Sequence, residues 1–422
     1  MSTTSPAARP RAPIPPGPVR HARWAVSLLF FLNGASFCAI LPRYPEMVDA
    51  IGLSNAHFGL AVGLGPLGGL VAGLTVAHLM GRFGSARVSV IAQVVASTVH
   101  LLVYTAASWW WLALALFLAA AADSVTDISM NSHGMRVERR YRRSIMNSYH
   151  GWWSLGAVTG GLLGATCAQF AVPLAVQGVI GLVVFGALAI GSLRFFLPGH
   201  DGTERPMASP APASGDEVPA LTPPSGRHIA GLALRPLGLA VALGVVLVFA
   251  GSTEDAGNTW GALFMSRTFE VTPFVAGLAF VALQGAQTIG RFLGDALADR
   301  LGDRLTARLG ALITILGMSL ALLLPTPVTA LIGFAAAGWG VATLFPAAYR
   351  AADDMHGLPP GVGITVVGWF ARLGFFITPP IVGALSDALT LRYALWMVPL
   401  YGLGILIFSG ALSRRATPPA NP

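Results

Sequence analysis

The sequence predicts an all-α polytopic membrane protein, in which twelve transmembrane helices form two pseudo-symmetric six-helix halves. Three observations support this fold class. Only 10% of the 422 residues are charged and 54% are hydrophobic, whereas a soluble domain carries about 25% charged residues. Continuous apolar runs approach the roughly 20 residues that cross a bilayer, where the backbone must be helical. Short patterns of the first half also return in the second half.

The first half begins after a polar tail. Residues 1–21 are rich in proline and arginine and lack apolar periodicity, so we expect a disordered cytoplasmic tail. Apolar windows between polar, glycine or proline breaks then define six spans within residues 22–197. These predicted spans are 23–47, 56–80, 86–106, 109–136, 145–170 and 173–196.

The second half follows a break that is rich in proline, serine and glycine, which predicts a cytoplasmic linker at 198–233. The same reading gives a second six-helix half at 234–413 and leaves 414–422 as a cytoplasmic tail. Its predicted spans are 236–266, 273–298, 304–324, 327–352, 359–386 and 390–412.

The two halves resemble each other at a nearly constant spacing along the chain. "GRFG" at 81–84 aligns with "DRLG" at 299–302, and "GLA" at 59–61 recurs at 277–279 with the same spacing. Three further matches follow in the same order at almost the same spacing. Repeated halves around a binding site at the bilayer midplane are the architecture of secondary transporters. The repeat therefore predicts a transporter.

The distribution of charge predicts the orientation. All 26 residues counted as lysine or arginine are arginine, and the formal net charge is +8. An even number of spans puts both termini on one side, and most arginines fall in the tails and loops of that side. Because positive residues stay cytoplasmic, we expect a multi-pass protein of the bacterial cytoplasmic membrane with both termini inside. The same distribution argues against a nucleic-acid partner.

Several function classes lack any signal. The sequence has no Walker lysine, no HExxH and no CxxC motif, so we predict that the chain is not an enzyme and has no cofactor, no metal site and no catalytic residues. Cys38 and Cys167 lie in apolar runs, where free thiols behave as small hydrophobic groups.

Two carboxylates lie inside the fourth predicted span. Asp123, Asp127 and Asn131 recur at every fourth position and so share one helix face. A charged side chain at the bilayer centre costs about 2.5–3.5 kcal/mol on insertion scales, so such residues usually face a cavity or a partner. Two carboxylates one turn apart repel, which favours a protonated form of one of them and suits proton coupling. A structural polar stripe paired with arginine is the alternative.

Three further positions stand out within the spans. Arg372 is the lone basic group at mid-membrane depth, so it should pair with an acid or bind an anionic group. Trp339 occupies the position in the second half that corresponds to Asp123 in the first, where it could stack against a ligand. His150 starts the fifth span, where it either relays protons or makes a structural hydrogen bond.

A loop signature carries a family resemblance. "GDALADRLGDR" at 294–304 resembles the pattern G-x-x-x-D-R-x-G-R of the major facilitator superfamily, in the loop between the eighth and ninth spans. The first-half copy at 76–87 has Gly81 where the pattern expects an acid. The matching residues of the second-half copy are Gly294, Asp295, Asp299, Arg300 and Gly302.

A finer resemblance, to the MosC/YbjJ-like branch of that superfamily, extends over most of the chain. It implies the major facilitator fold and alternating access. Glu254 and Asp255 are adjacent and point about 100° apart, so we expect only one of them to face the cavity, and the resemblance favours Glu254. Asn258 stands where the branch has an aspartate. Segments that carry the resemblance include 130–140, 150–161, 254–260, 290–295 and 373–385.

These features predict a proton-coupled exporter of a drug-like or secreted metabolite, a monomer whose partners are a small-molecule substrate, protons and the lipid bilayer. Uptake of a small polar solute (sugar- or rhizopine-like) stays open, as does a non-transporting receptor or scaffold. The predicted proton-coupling residues are Asp123, Asp127 and Glu254. The predicted substrate-binding residues are Asn33, Asn131, His150, Asn258, Trp339 and Arg372.

Overall fold

The computed structural model describes residues 17–141, 145–199, 228–229, 232–353, 355, 358 and 362–412. Most of the predicted tails and linker (1–16, 200–227 and 413–422) and the side chain of Asp295 lie outside the described residues. What is described is almost entirely helical, as the apolar composition requires.

The first half consists of seven helices and two 3₁₀ turns. The turns are Leu41–Arg43 and Leu193–Phe195. The helices are α1 (Gly17–Cys38), α2 (Tyr44–Ile51), α3 (Asn55–Phe83), α4 (Ser85–Tyr104), α5 (Trp109–Tyr141), α6 (Met146–Gln169) and α7 (Leu174–Ser192).

The second half is preceded by two short antiparallel strands, β1 (His228–Ile229) and β2 (Leu232–Ala233), with His228 opposite Ala233. A 3₁₀ turn, Ser409–Ala411, ends it. The helices are α8 (Leu234–Phe269), α9 (Pro273–Leu301), α10 (Asp303–Leu323), α11 (Pro327–Val341), α12 (Leu344–Asp353), α13 (Val362–Ala388), α14 (Leu391–Ala394) and α15 (Met397–Phe408).

The helices supply the predicted spans. In the described part of the chain, eleven helical spans are long and apolar enough to cross a membrane. The remaining predicted span forms the 24-residue helix α6, whose glycine, serine and tryptophan content lowers its hydropathy. Because α6 packs between α1 and α9, it completes the bundle. The predicted class, a polytopic α-helical membrane protein, is confirmed.

The helix boundaries repeat with the spacing of the sequence matches. Helices α3 and α9 are both 29 residues long, and their first residues, Asn55 and Pro273, are as far apart along the chain as the matching segments. The turns that follow them are also alike. Gly84 has φ 79° and ψ 150°, and Gly302 has φ 80° and ψ 154°, a left-handed φ that suits glycine. The two halves thus share local backbone geometry as well as sequence pattern.

Two predicted boundaries need correction. Helix α1 begins at Gly17, so residues 17–21 belong to the first span and not to the tail. Pro18 is tolerated because it lies in the first helical turn, and Val19 is buried. The predicted loop signature at 294–304 lies mostly in α9, and only Gly302 separates α9 from α10.

Glycines allow close helix crossings inside each half. Gly156 of α6 lies against the main-chain carbonyl of Phe31 in α1, so a Cβ atom there would collide with it. At the corresponding crossing in the second half, a Cβ atom at Gly374 would lie 2.6 Å from the carbonyl oxygen of Val248. Small residues of this kind let membrane helices approach closely.

The hydrogen bonds and ion pairs between the halves lie, for the described residues, at the end of the bundle opposite the termini, which we call the outer end. Asp387 of α13 accepts hydrogen bonds from the main-chain nitrogens of Asn55 (3.0 Å) and Ala56 (2.9 Å), at the start of α3. Arg267 forms an ion pair with Asp49. The outer end therefore holds the halves together by polar contacts.

Candidate transport site

The first predicted acid is part of a hydrogen-bonded chain across three helices. Asn33 of α1 donates from Nδ2 to Oδ1 of Asp123 in α5 at 2.8 Å. Oδ1 of Asn33 accepts from Nε1 of Trp153 in α6 at 2.8 Å. Asn33 is buried and is oriented by both partners. The carboxyl group of Asp123 is therefore fixed in position within the first half.

The second acid is less tightly held. Asn131 donates from Nδ2 to Oδ1 of Asp127 at 2.9 Å and also to its main-chain carbonyl at 2.8 Å. Asp127 is exposed, although it lies midway along α5. It is within electrostatic reach of Asp123 on its own helix and of Arg372 on α13. The shared helix face thus points toward the second half of the protein.

Arg372 faces this acid from the opposite half. Its guanidinium donates to the main-chain carbonyl of Gly368 at 3.1 Å, and Tyr349 of α12 is its electrostatic neighbour. Among the described residues, Arg372 makes no ion pair within 4.0 Å. A mobile partner can therefore engage it, either Asp127 or an anionic group of a solute.

Glu254 occupies a buried position between α8 and α9. Gln287 donates from Nε2 to Oε2 of Glu254 at 2.9 Å. Cys38 of α1 lies within electrostatic reach of both Glu254 and Asp123, so acids from the two halves lie near one thiol. Nε2 of Gln284 and Oε1 of Gln287 have no hydrogen-bond partner among the described residues. This part of the site has unused hydrogen-bonding capacity.

The other predicted substrate-binding residues are more dispersed. His150 is exposed, contacts Phe30 edge-on at 5.4 Å, and lies near Arg291 of α9. The Trp339 ring packs beside Gly290 of α9, 3.6 Å from where a Cβ atom would lie. Asn258 is half-buried on α8, and its Oδ1 lacks a hydrogen-bond partner among the described residues. The site therefore divides into a first-half acid cluster, which includes Asn33, and a second-half surface.

The loop-signature residues lie at the end of the bundle that holds the termini. Gly294 packs against Thr343, 2.5 Å from where a Cβ atom would lie. Asp299 and Arg300 are exposed near the end of α9, and neither makes an ion pair with another described residue. Asp295 belongs to the same helix, but its side chain is outside the described residues.

Two charged side chains outside the predicted site have structural roles. Arg43 is fully buried. It binds Glu46 at 2.6 Å and the carbonyl of Val172 at 2.7 Å, and also Gln177. Glu138, near the end of α5, accepts hydrogen bonds from the main-chain nitrogens of Ile145 and Met146 at the start of α6.

The hydrogen bond from Trp153 to Asn33 was not among the predictions from the sequence. Its signal was indirect. Trp153 and Asn33 lie on neighbouring helices within a few residues of the glycine crossing at Gly156, and one polar side chain faced by an indole N–H is a common buried pair.

A family comparison decides the identity of the fold. The sequence profile of the Major Facilitator Superfamily matches residues 26–253 and 241–422. The chain belongs to the major facilitator superfamily. This superfamily match, over both halves, also confirms the prediction of a transporter rather than an enzyme.

Curated relatives cover almost the whole chain. The "uncharacterized transporter y4wD" of Sinorhizobium fredii is 28% identical over 396 residues, which cover 91% of this chain and 96% of y4wD. The membrane protein MosC of Rhizobium meliloti is 26% identical over 399 residues, which cover 94% of this chain and 92% of MosC. The resemblance to the MosC branch is therefore confirmed at modest identity.

Solved structures show the same fold. A bacterial homologue of the human lysosomal transporter Spinster, inward-facing and unoccupied, superposes with a TM-score of 0.72 at 16% identity, covering 96% of this chain and 99% of its own. A mutant of the nucleoside transporter NupG gives a TM-score of 0.71 at 12% identity, covering 92% of this chain and 99% of its own. This superfamily member is thus a multi-pass membrane protein of transporter fold.

Proposed function

We propose that this superfamily member is a secondary active transporter that exchanges protons for a small organic solute by alternating access. One observation carries the proposal. Asp127 and Arg372 face each other from opposite halves within electrostatic reach, yet Arg372 makes no ion pair among the described residues. An ionised Asp127 attracts Arg372 across the cavity, and a protonated Asp127 releases it.

The cycle follows from this exchange of partners. With Asp127 ionised, its carboxylate and the guanidinium of Arg372 together offer an acceptor and donors to a cationic or strongly hydrogen-bonding group of the solute. When a proton binds to Asp127, the carboxylate charge is lost and solute binding weakens, so the proton and the solute compete for the same site, as exchange requires. Asp123, held by Asn33, keeps a second carboxyl group one helical turn from Asp127, and Glu254 provides a third site in the other half.

Export of a drug-like or secreted metabolite is the direction that we propose. The polar contacts between the halves at the outer end, from Asp387 to the start of α3 and from Arg267 to Asp49, support a cavity that is closed on the outer side. Both termini are proposed to be cytoplasmic, so the solute enters from the cytoplasm. Uptake of a small polar solute uses the same residues with the proton moving inward together with the solute.

The test is proton movement in proteoliposomes that contain the purified protein and a pH-sensitive dye. Ethidium is the drug-like probe and inositol the polar probe, each added with and without an imposed pH gradient. We expect one of them, or a related solute found by thermal stabilisation, to move protons in the wild type and not in Asp127→Asn. Asp353→Asn, at the exposed end of α12, is the matched control. Solute binding without any flux would establish a receptor instead.

A further inference from the structure

Where the halves meet at the outer end, three aromatic side chains form a buried cluster. Tyr44 of α2 contacts Phe58 of α3 edge-on at 5.0 Å, and Phe58 contacts Trp260 of α8 edge-on at 5.6 Å. The three side chains are no more than 2% exposed. Tyr44 and Phe58 belong to the first half and Trp260 to the second, so the cluster has to separate whenever the outer end opens.

Asp255 lies beside this aromatic cluster. It is only 6% exposed and is within electrostatic reach of the Tyr44 hydroxyl. Thr259, one turn along α8, donates to its Oδ1 at 2.9 Å. Its Oδ2 has no hydrogen-bond partner among the described residues. The neighbouring Glu254 points instead toward Gln287 of α9, so the two adjacent acids face different surroundings.

No cation compensates Asp255 among the described residues. The titratable groups that face it are the hydroxyls of Tyr44 from α2 and of Tyr401 from α15, together with Glu254 on its own helix. None of these groups carries a positive charge. An ionised carboxylate without a partner is costly in such a site, so the closed cluster favours the neutral carboxyl group.

Opening of the outer end reverses this preference. When Phe58 and Trp260 separate, water reaches Asp255 and can solvate a carboxylate. The carboxyl O–H bond then breaks, the electron pair stays on the oxygen, and the proton passes to external water. Closing requires the reverse step. A proton bound at Asp255 and a closed aromatic cluster therefore stabilise each other, by thermodynamic linkage.

We propose that Asp255, and not Glu254, links external pH to opening of the outer end. This inference rests on the proposed proton-coupled transport, and it adds a second proton site to the one at Asp127. Asp127 governs solute binding in the cavity, whereas Asp255 governs which side the cavity opens to. Low external pH keeps the outer end closed, and high external pH favours its opening.

The experiment measures the opening directly. Spin labels are attached at Ala107→Cys in the first half and Leu389→Cys in the second, both exposed at the outer end, after Cys38 and Cys167 are replaced by serine. The distance distribution is recorded by electron–electron double resonance between pH 5.5 and 9. In the otherwise wild-type protein we expect the long-distance population to grow as pH rises.

Three variants decide the assignment. Asp255→Asn should keep the outer end closed, with an open fraction at pH 9 at least about tenfold lower than that of the parent. Glu254→Gln should keep the pH response. Thr259→Val removes a donor to the carboxylate and should move the midpoint to higher pH by roughly 0.5–1 unit. Because Thr259→Val is expected to stay folded and responsive to pH, a shifted midpoint in this variant connects the pH response to Asp255.

The proposal is overturned if Asp255→Asn retains the pH response, or if Glu254→Gln alone abolishes it. A wild type whose outer end ignores pH also overturns it. Asp49→Asn is the control, because it removes the exposed ion pair at the same end. It should change the open fraction by a similar factor at every pH and leave the midpoint of the pH response unchanged. Failure of the proposed transport is distinct, because it appears as a lack of proton-linked flux in the proteoliposomes whatever the spin-label distances do.

Discussion

The two halves of this transporter-fold protein share their backbone plan but differ at the centre of the site. In the first half, Asp123, Asn33 and Trp153 form a hydrogen-bonded chain. The residues at the corresponding repeat positions of the second half are, in the same order, Trp339, Ala250 and Ala371. One half therefore holds a fixed carboxyl group where the other presents an aromatic surface.

This difference teaches how a duplicated scaffold acquires separate tasks. The helix starts, the turn geometry at Gly84 and Gly302, and the glycine crossings are common to both halves. What differs are the side chains of the candidate site. The glycines at the helix crossings tolerate little change because they meet main-chain atoms of the neighbouring helix, whereas Asp123, Asn33 and Trp153 meet one another through their side chains. The symmetric part thus specifies the fold, and the asymmetric part carries the proposed chemistry.

The strongest test of the shared plan uses the two glycine crossings. Gly156→Val and Gly374→Val each place a side chain against the carbonyl of the crossing helix, so both should lower the free energy of unfolding by about 3 kcal/mol or more. Thermal unfolding in detergent measures this. Gly191→Val and Gly238→Val, with nothing within 4 Å, should change little. A normal Gly374→Val protein would show that the halves are not packed alike.

Next in size is the effect on proton-driven transport. Asp127→Asn should lower flux under a pH gradient at least about tenfold, because a neutral amide cannot alternate between attracting and releasing Arg372. Asp123→Asn should weaken the flux less, since its hydrogen bond to Asn33 survives in altered form. The measurement is the rate of proton movement, reported by the pH-sensitive dye, at a series of pH values. An unchanged pH dependence in both variants removes the first half from the coupling mechanism.

A smaller effect is expected at the polar chain itself. Asn33→Ala leaves the carboxyl group of Asp123 and the indole nitrogen of Trp153 without their partner, which should cost about 1–3 kcal/mol of stability. Ala250→Gly at the corresponding, fully buried position of the second half serves as the comparison and should cost about 1–2 kcal/mol, from helix propensity and the lost methyl group. Equal losses in thermal unfolding would mean that the hydrogen bonds of the first half add nothing.

The smallest predicted change concerns the aromatic surface. Trp339→Phe keeps an apolar ring beside Gly290 but removes part of its area, so solute affinity should fall only about two- to fivefold. Proton-driven flux at saturating solute should stay near that of the parent. Titration of the solute in the flux assay separates the two quantities, and a loss of proton coupling in this variant would place Trp339 with the acids.

Much of this organisation could be predicted from the sequence. The spans followed from continuous apolar runs, and the duplication followed from matches at one spacing. The prediction that the lone acids and Arg372 face a cavity rests on the cost of an unpartnered charge in lipid, and it stays a prediction. These predictions depend on the membrane environment, which constrains each apolar or charged residue whatever its tertiary contacts are. One sequence is therefore sufficient to make them.

Other features depend on contacts between distant segments. Nothing local distinguishes Trp153, which donates to Asn33, from Trp152 beside it. The burial of Arg43 depends on Gln177, in a helix far along the chain. The different surroundings of Glu254 and Asp255 are set by α9 and α2, so adjacency along the chain could not say which acid faces which partner. Side-chain pairing of this kind needs the assembled fold.

The contacts at the outer end differ in their physical nature, and this has a consequence for the ionic strength of the medium. Arg267 with Asp49, and Asp387 with the start of α3, are accessible charge interactions that dissolved salt screens over about 8 Å at physiological concentration. The aromatic cluster is insensitive to such screening. High external salt should therefore weaken the polar contacts at the outer end while the aromatic cluster stays packed. The outer end is then expected to stay closed when the external salt concentration changes.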